Sequence, residues 1–178
     1  MTALEWRHRV AEIGERGLTV ERHANDQECA AVAEDMGILS CSAIFAHYEI
    51  KPAANHRFLM LGQVRAEIEQ ACVVTLDPVR EEIVAEIDLE FWPAAQLQQA
   101  DEIDIDALEQ DDPEPIESGS LPVGRVIYEI LASQANPYPR QPGEELERTE
   151  AGDSGSPSEA GPANPFAKLA ALRDDEAD

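Results

Sequence analysis

The chain has 178 residues with 37 acidic against 13 basic side chains, a formal net charge of −24, and 43% of its residues are apolar. That length and apolar share provide one core of ordinary size plus tails, not two cores. The charge argues against a protein that coats a phosphate backbone with its whole surface, and no apolar run approaches the roughly 20 residues of a membrane-spanning helix.

The opening stretch, MTALEWRHRV, holds an acid at Glu5 and no apolar h-region. It does not read as a secretory signal, and a cytoplasmic location is expected. Cys29, Cys41 and Cys72 are too few, and odd in number, for a disulfide framework; they read as small buried side chains in a reducing compartment. The charge is unevenly spread. Residues 1–80 carry 8 basic and 12 acidic side chains, a balance of −4, whereas residues 81–178 carry 5 and 25, a balance of −20. Two readings of this acid stand side by side: a surface for a basic protein partner, or charge that keeps the protein soluble.

In chain order, Leu4–Val10 alternates apolar and polar residues and predicts a strand with Leu4, Trp6 and Val10 on one face. Gly14 and Gly17 mark a turn, and Leu18-Thr19-Val20 a second short strand. Asn25 is a good helix N-cap with Glu28 three residues on, as in a capping box; Cys29, Val32, Ala33 and Met36 follow at helical spacing, and Gly37 is the expected stop. Three long strands come next. Ile44, Ala46, Tyr48 and Ile50 share a face of the first, and 51–56 is a hairpin loop. In the second, Phe58, Met60, Val64, Ala66 and Ile68 oppose Arg65, Glu67 and Glu69. After a connection at 72–78, Ile83, Ala85, Ile87, Leu89 and Phe91 alternate with acids. One apolar and one charged face is the signature of an antiparallel sheet covered on one side.

Residues 94–119 hold nine acids between Asp101 and Glu117 and no basic residue, and read as a loop with either an edge strand or a helical turn. Ser120 or a neighbour then opens a helix with Pro122 in its first turn, lined by Val123, Val126, Ile127, Ile130 and Leu131, and ended by Asn136-Pro137-Tyr138-Pro139. The fold class expected is α+β: an antiparallel β-sheet with two or three packed helices in residues 1–140, a disordered acidic linker over 141–163, and a short motif over 164–178. In that motif Phe166, Leu169 and Leu172 share a face after Asn164-Pro165. So short a helix needs a surface to dock on, since about 12–15 residues are required in isolation. The segment is either an apolar anchor, folded back or offered to a partner, or a frayed tail.

Chemistry is sparse. His47 and His56 flank the hairpin, but no carboxylate or cysteine stands at ligand spacing to complete a site with His8, His23 or either of them. Asp104-Ile105-Asp106 opens like a calcium loop and then lacks its glycine and oxygen spacing. Asp104 and Asp106 therefore read as a solvated acidic face or as partner-binding residues. Cys72-Val73-Val74-Thr75 cannot supply a second thiolate. No cofactor, no metal and no enzymatic activity are expected.

Gln70-Ala71-Cys72-Val73-Val74-Thr75-Leu76-Asp77-Pro78, followed by an acidic alternating strand ending in Phe91-Trp92-Pro93, resembles the centre of the YceD family. In many members that centre begins with a cysteine pair, of which this chain keeps Cys72. The Asp104–Asp106 region, the Val123–Leu131 helix and Asn136–Gly143 resemble the family's proteobacterial branch, and Asn164–Leu172 its terminal motif. The resemblance runs from about residue 4 to residue 172. It implies a non-catalytic role in accumulation of large-subunit ribosomal RNA. Some relatives bear further cysteines near 136–143 that suit zinc; this chain has prolines there, so no metal is implied. The leading expectation is a factor in ribosome assembly acting through a basic protein of the large subunit or an assembly factor. The alternative is direct rRNA binding through Arg7, Arg9, Arg57 and Arg65, which do not all share one predicted strand.

Overall fold

The computed structural model describes residues 3–100 and 113–141, apart from the side chains of 98–100. Its elements are β1 (His8–Arg9), β2 (Leu18–His23), α1 (Asp26–Met36), β3 (Ser40–Pro52), β4 (Phe58–Ala71), β5 (Pro78–Pro93), α2 (Ala94–Ala100), β6 (Glu114–Ile116), β7 (Ser120–Leu121) and α3 (Val123–Gln134). Five strands make one sheet in the order β2-β3-β4-β5-β6, antiparallel except for the parallel β5–β6 pair. β1 and β7 pair separately.

Period-two alternation decides which face of this sheet is covered. Ile44, Ala46, Tyr48 and Ile50 of β3, Met60, Val64, Ala66 and Ile68 of β4, and Ile83, Ile87 and Phe91 of β5 point to one side and are buried. Cys29 and Val32 of α1, and Val123, Val126, Ile127 and Leu131 of α3, complete the same cluster. Each large apolar side chain so buried contributes about 1.5–3 kcal/mol. The fold is α+β with α1 and α3 on the apolar face, as the alternation predicts.

Local signals act where expected in α1. Asn25 accepts from the Gln27 and Glu28 amides, and Glu28 accepts from the Asn25 amide. Gly37 ends the helix in the left-handed region at φ 66°. Glu28 has a second task, because its other oxygen accepts from Trp6 Nε1 at 2.8 Å and so ties the N-terminal segment to the helix. Gly62 is required by close packing: a Cβ there would lie 2.3 Å from the His47 carbonyl oxygen and 2.7 Å from Tyr48 Cβ.

Two expectations need correction. The predicted strand over Leu4–Val10 is paired only at His8–Arg9, and Val10 enters a 3-10 turn. The inward alternation is Leu4, Trp6 and His8, not Val10, because β7 offers just two residues of partner strand and the Trp6 carbonyl goes instead to the Gly124 amide. The helix does not open at Ser120. Ser120 and Leu121 are β7, and Pro122 stands at the N-cap. A residue that precedes proline is pushed away from the helical region, so Leu121 stays extended. Residues 94–119 contain both structures proposed for them at opposite ends, α2 and β6.

Candidate functional site

Among the described residues, the helices of the core cluster all pack on the first face of the sheet, and none lies on the second. Its positions on β2–β5 carry eight carboxylates (Glu21, Glu49, Glu67, Glu69, Glu82, Glu86, Asp88 and Glu90) against three cations, Lys51, Arg65 and Arg80. Two of those cations are already paired, Lys51 with Glu49 at 2.7 Å and Arg80 with Glu69 at 2.8 Å. The Arg80 guanidinium, with the Ser40 hydroxyl, holds the Glu69 carboxyl below its ordinary pKa. Glu67 and Glu82 stand directly opposite each other in the β4–β5 ladder. Like charges in that position cost stability, so folding alone does not account for them. Apolar surface runs through the acid: Leu61 and Val84 are exposed, and half-buried Phe45 tilts against the His23 ring at 4.7 Å.

Beneath this face lies a buried polar group with a structural task. His8 Nε2 meets the Tyr48 hydroxyl at 2.7 Å. Burial pushes the Tyr48 phenol up to about 12, against the lowering influence of the Arg22 charge. The phenol keeps its proton, and the two groups share one hydrogen bond whose direction follows the tautomer of His8. Burial first, and the Arg22 charge second, push the His8 pKa below its ordinary value, which favours the neutral ring. Elsewhere, Cys29 and Cys41 line a shallow cleft of about 540 Å³ between α1 and β3. Burial raises the Cys29 pKa and lifts Cys41 to about 12, which keeps both thiols protonated and poorly nucleophilic.

A second constellation forms at one end of the sheet. The 72–77 connection closes on itself, with the Cys72 amide donating to the Asp77 carbonyl at 2.8 Å and the Leu76 amide to the Cys72 carbonyl at 2.9 Å. The segment after α3 clasps it. The Val73 amide donates to the Pro139 carbonyl at 2.9 Å, Gln70 Nε2 to the Asn136 carbonyl at 3.2 Å, and Gln141 Nε2 to the Pro78 carbonyl at 3.3 Å. Glu81 accepts from the Asn136 amide at 3.3 Å. Cys72 is buried, and hydrogen bonds from Thr75 hold its pKa below the ordinary thiol value. Two sequence motifs more than sixty residues apart thus make one unit.

A family profile described as "Large ribosomal RNA subunit accumulation protein YceD" matches residues 60–173, well over half the chain and the whole of this constellation. The chain belongs to the YceD family. No curated protein and no solved structure matches it significantly. The YceD family is linked to accumulation of large-subunit rRNA, and so to ribosome biogenesis. Among the described residues no group of three or more His, Cys, Asp or Glu is placed to hold a metal ion, and no helix is long and apolar enough to cross a membrane.

Asp104, Asp106, Phe166, Leu169 and Leu172 lie outside the described residues. The arginines proposed for direct rRNA contact are inside them. Arg7 is paired with Glu117 at 2.9 Å, and Arg9 lies on β1. Arg57 stacks on the Trp92 ring at 3.4 Å and donates to Gln96. Arg65 is eight residues further along the chain, about 26 Å at the rise of an extended strand. Sequence reasoning missed the Cys72–Asn136 clasp and its exposed Val73, Leu76 and Tyr138. The signal available was a run of apolar residues in a connection where polar turn residues are usual.

Proposed function

We propose that this protein is a non-catalytic factor supporting large-subunit rRNA accumulation, and that it acts by binding a basic protein of the large ribosomal subunit or its assembly machinery. The observation that carries the reading is the open sheet face with eight carboxylates, three cations and the opposed Glu67–Glu82 pair. Such a field repels a phosphate backbone within about a Debye length, roughly 8 Å at physiological salt, and attracts a cationic protein surface. Leu61, Val84 and Phe45 give that partner apolar contact between its charges. In this reading rRNA is protected indirectly, through delivery or retention of a protein that binds it. Asp104 and Asp106 would offer such a partner further carboxylates, and Phe166, Leu169 and Leu172 apolar side chains.

The test is a pull-down with the full chain from lysate, with and without nuclease, read by mass spectrometry. Capture of the same basic ribosomal proteins after nuclease treatment is the expected result. Loss of all of them with the RNA contradicts the reading and favours direct rRNA binding.

A further inference from the structure

Five of the seven large apolar side chains exposed among the described residues, Leu39, Val73, Val74, Leu76 and Tyr138, belong to one end of the sheet. The Leu39 amide donates to the Glu69 carbonyl near the end of β4, and the Val73 amide holds the segment of Tyr138 through the Pro139 carbonyl. Chance scatter of single apolar residues does not produce this concentration.

The geometry is prepared rather than loose. Leu76 has φ 67°, a left-handed conformation in which glycine or asparagine is the unstrained choice. Its side chain is nevertheless 76% exposed, so nothing within the described fold accounts for a leucine there. Tyr138 is 70% exposed and held between Pro137 and Pro139, whose rings fix their own backbone. A tyrosine on a stiff segment loses little entropy on contact, which makes it an effective anchor. The patch adjoins acid: Glu69, Asp77 and Glu81 border it, Arg80 is taken up by Glu69, and the opposed Glu67–Glu82 pair lies on the adjoining open face.

We infer that Leu76, Tyr138, Val73 and Val74 form an apolar anchor site for the same basic protein whose cationic side chains lie on the open face. The inference rests on that reading of the face. The partner is a protein segment with one or two large apolar side chains flanked by lysine or arginine. The apolar end supplies residence time, and the carboxylates supply orientation and rate of encounter.

The experiment uses the full chain and, as probe, the RNA-free proteins of the large ribosomal subunit, presented singly, with affinity measured across a salt series. Two variants are compared with the unaltered chain, each checked by thermal melting: Leu76→Ser with Tyr138→Ser, and Glu82→Lys with Glu86→Lys. The expected result is that the first pair of changes weakens binding of a basic protein about 10- to 100-fold with its salt dependence retained. The second pair weakens it and flattens the salt dependence. Binding of the Leu76→Ser, Tyr138→Ser chain within twofold of the unaltered chain overturns the anchor and leaves the open-face reading in place. Unchanged affinity and salt dependence in the charge-reversed chain, or no basic protein bound by the unaltered chain, overturns the open-face reading and the anchor with it. A self-associated species that disappears with Leu76→Ser and Tyr138→Ser reassigns the patch to a second copy of the chain and overturns the partner proposed here.

Discussion

Strands β3, β4 and β5 present two faces made from alternate residues of the same segments, and the two obey different rules. On the covered face Ala46, Tyr48, Ile50, Met60, Val64 and Phe91 are fully buried, and the ladder brings apolar side chains together. On the open face the same ladder sets Glu67 against Glu82 and Leu61 against Asp88. Burial explains the apolar choices on the first face. It explains neither the density of acid nor the exposed Leu61 and Val84 on the second. Residues that the fold does not need, or that work against it, are where a binding role is to be sought.

The comparison is broken most severely by exchanging the chemistry of the faces. Ile87→Asp places an unpaired carboxylate among fully buried residues and is expected to cost several kcal/mol, enough to unfold the domain in a thermal melt. Gly62→Ala should come next. Its methyl would sit 2.3 Å from the His47 carbonyl, and the resulting shift of β3 against β4 is expected to cost about 3 kcal/mol in chemical denaturation.

Smaller effects sharpen the account of the buried polar group. Tyr48→Phe removes the hydrogen-bond partner of His8 Nε2 and should cost about 1–2 kcal/mol. The depressed pKa of His8 also makes a pH prediction. Between that folded value and the unfolded value near 6.5, the unfolded chain binds more protons than the native one. This contribution to stability is therefore complete above about pH 7 and is lost as the pH falls through the unfolded value toward the folded one. Melting temperatures from about pH 7.5 to 5 should decline, and His8→Gln should flatten that decline. The smallest effect lies on the open face, where Glu86→Lys should change stability by no more than about 0.5 kcal/mol. A cost comparable to Ile87→Asp would show that the faces are wrongly assigned.

Much of this architecture was legible in the sequence because it rests on local period and local caps. The alternation in 44–50, 58–68 and 83–91 specifies both strands and faces, and Asn25, Glu28 and Gly37 mark α1 at both ends. What was not legible depends on distant partners. The length of β1 is set by β7, more than a hundred residues away. β6 joins the sheet by parallel pairing to β5, for which three residues carry no readable signal. His8 looks like any strand-face histidine until Tyr48 is placed 2.7 Å from it. The same holds for the candidate site. The acid was countable residue by residue, but its concentration on one face follows from strand register. The apolar end exists only once Pro139 clasps Val73.

We propose that the open acidic face carries the role in large-subunit rRNA accumulation. Its most direct test is the ratio of large- to small-subunit rRNA in cells that lack the protein and are supplied with the chain bearing Glu82→Lys, Glu86→Lys and Asp88→Lys. All three positions are exposed, so the variant is expected to fold and accumulate normally. This variant is expected not to restore the ratio that the unaltered chain restores. Full restoration by the charge-reversed chain at equal protein level would contradict it.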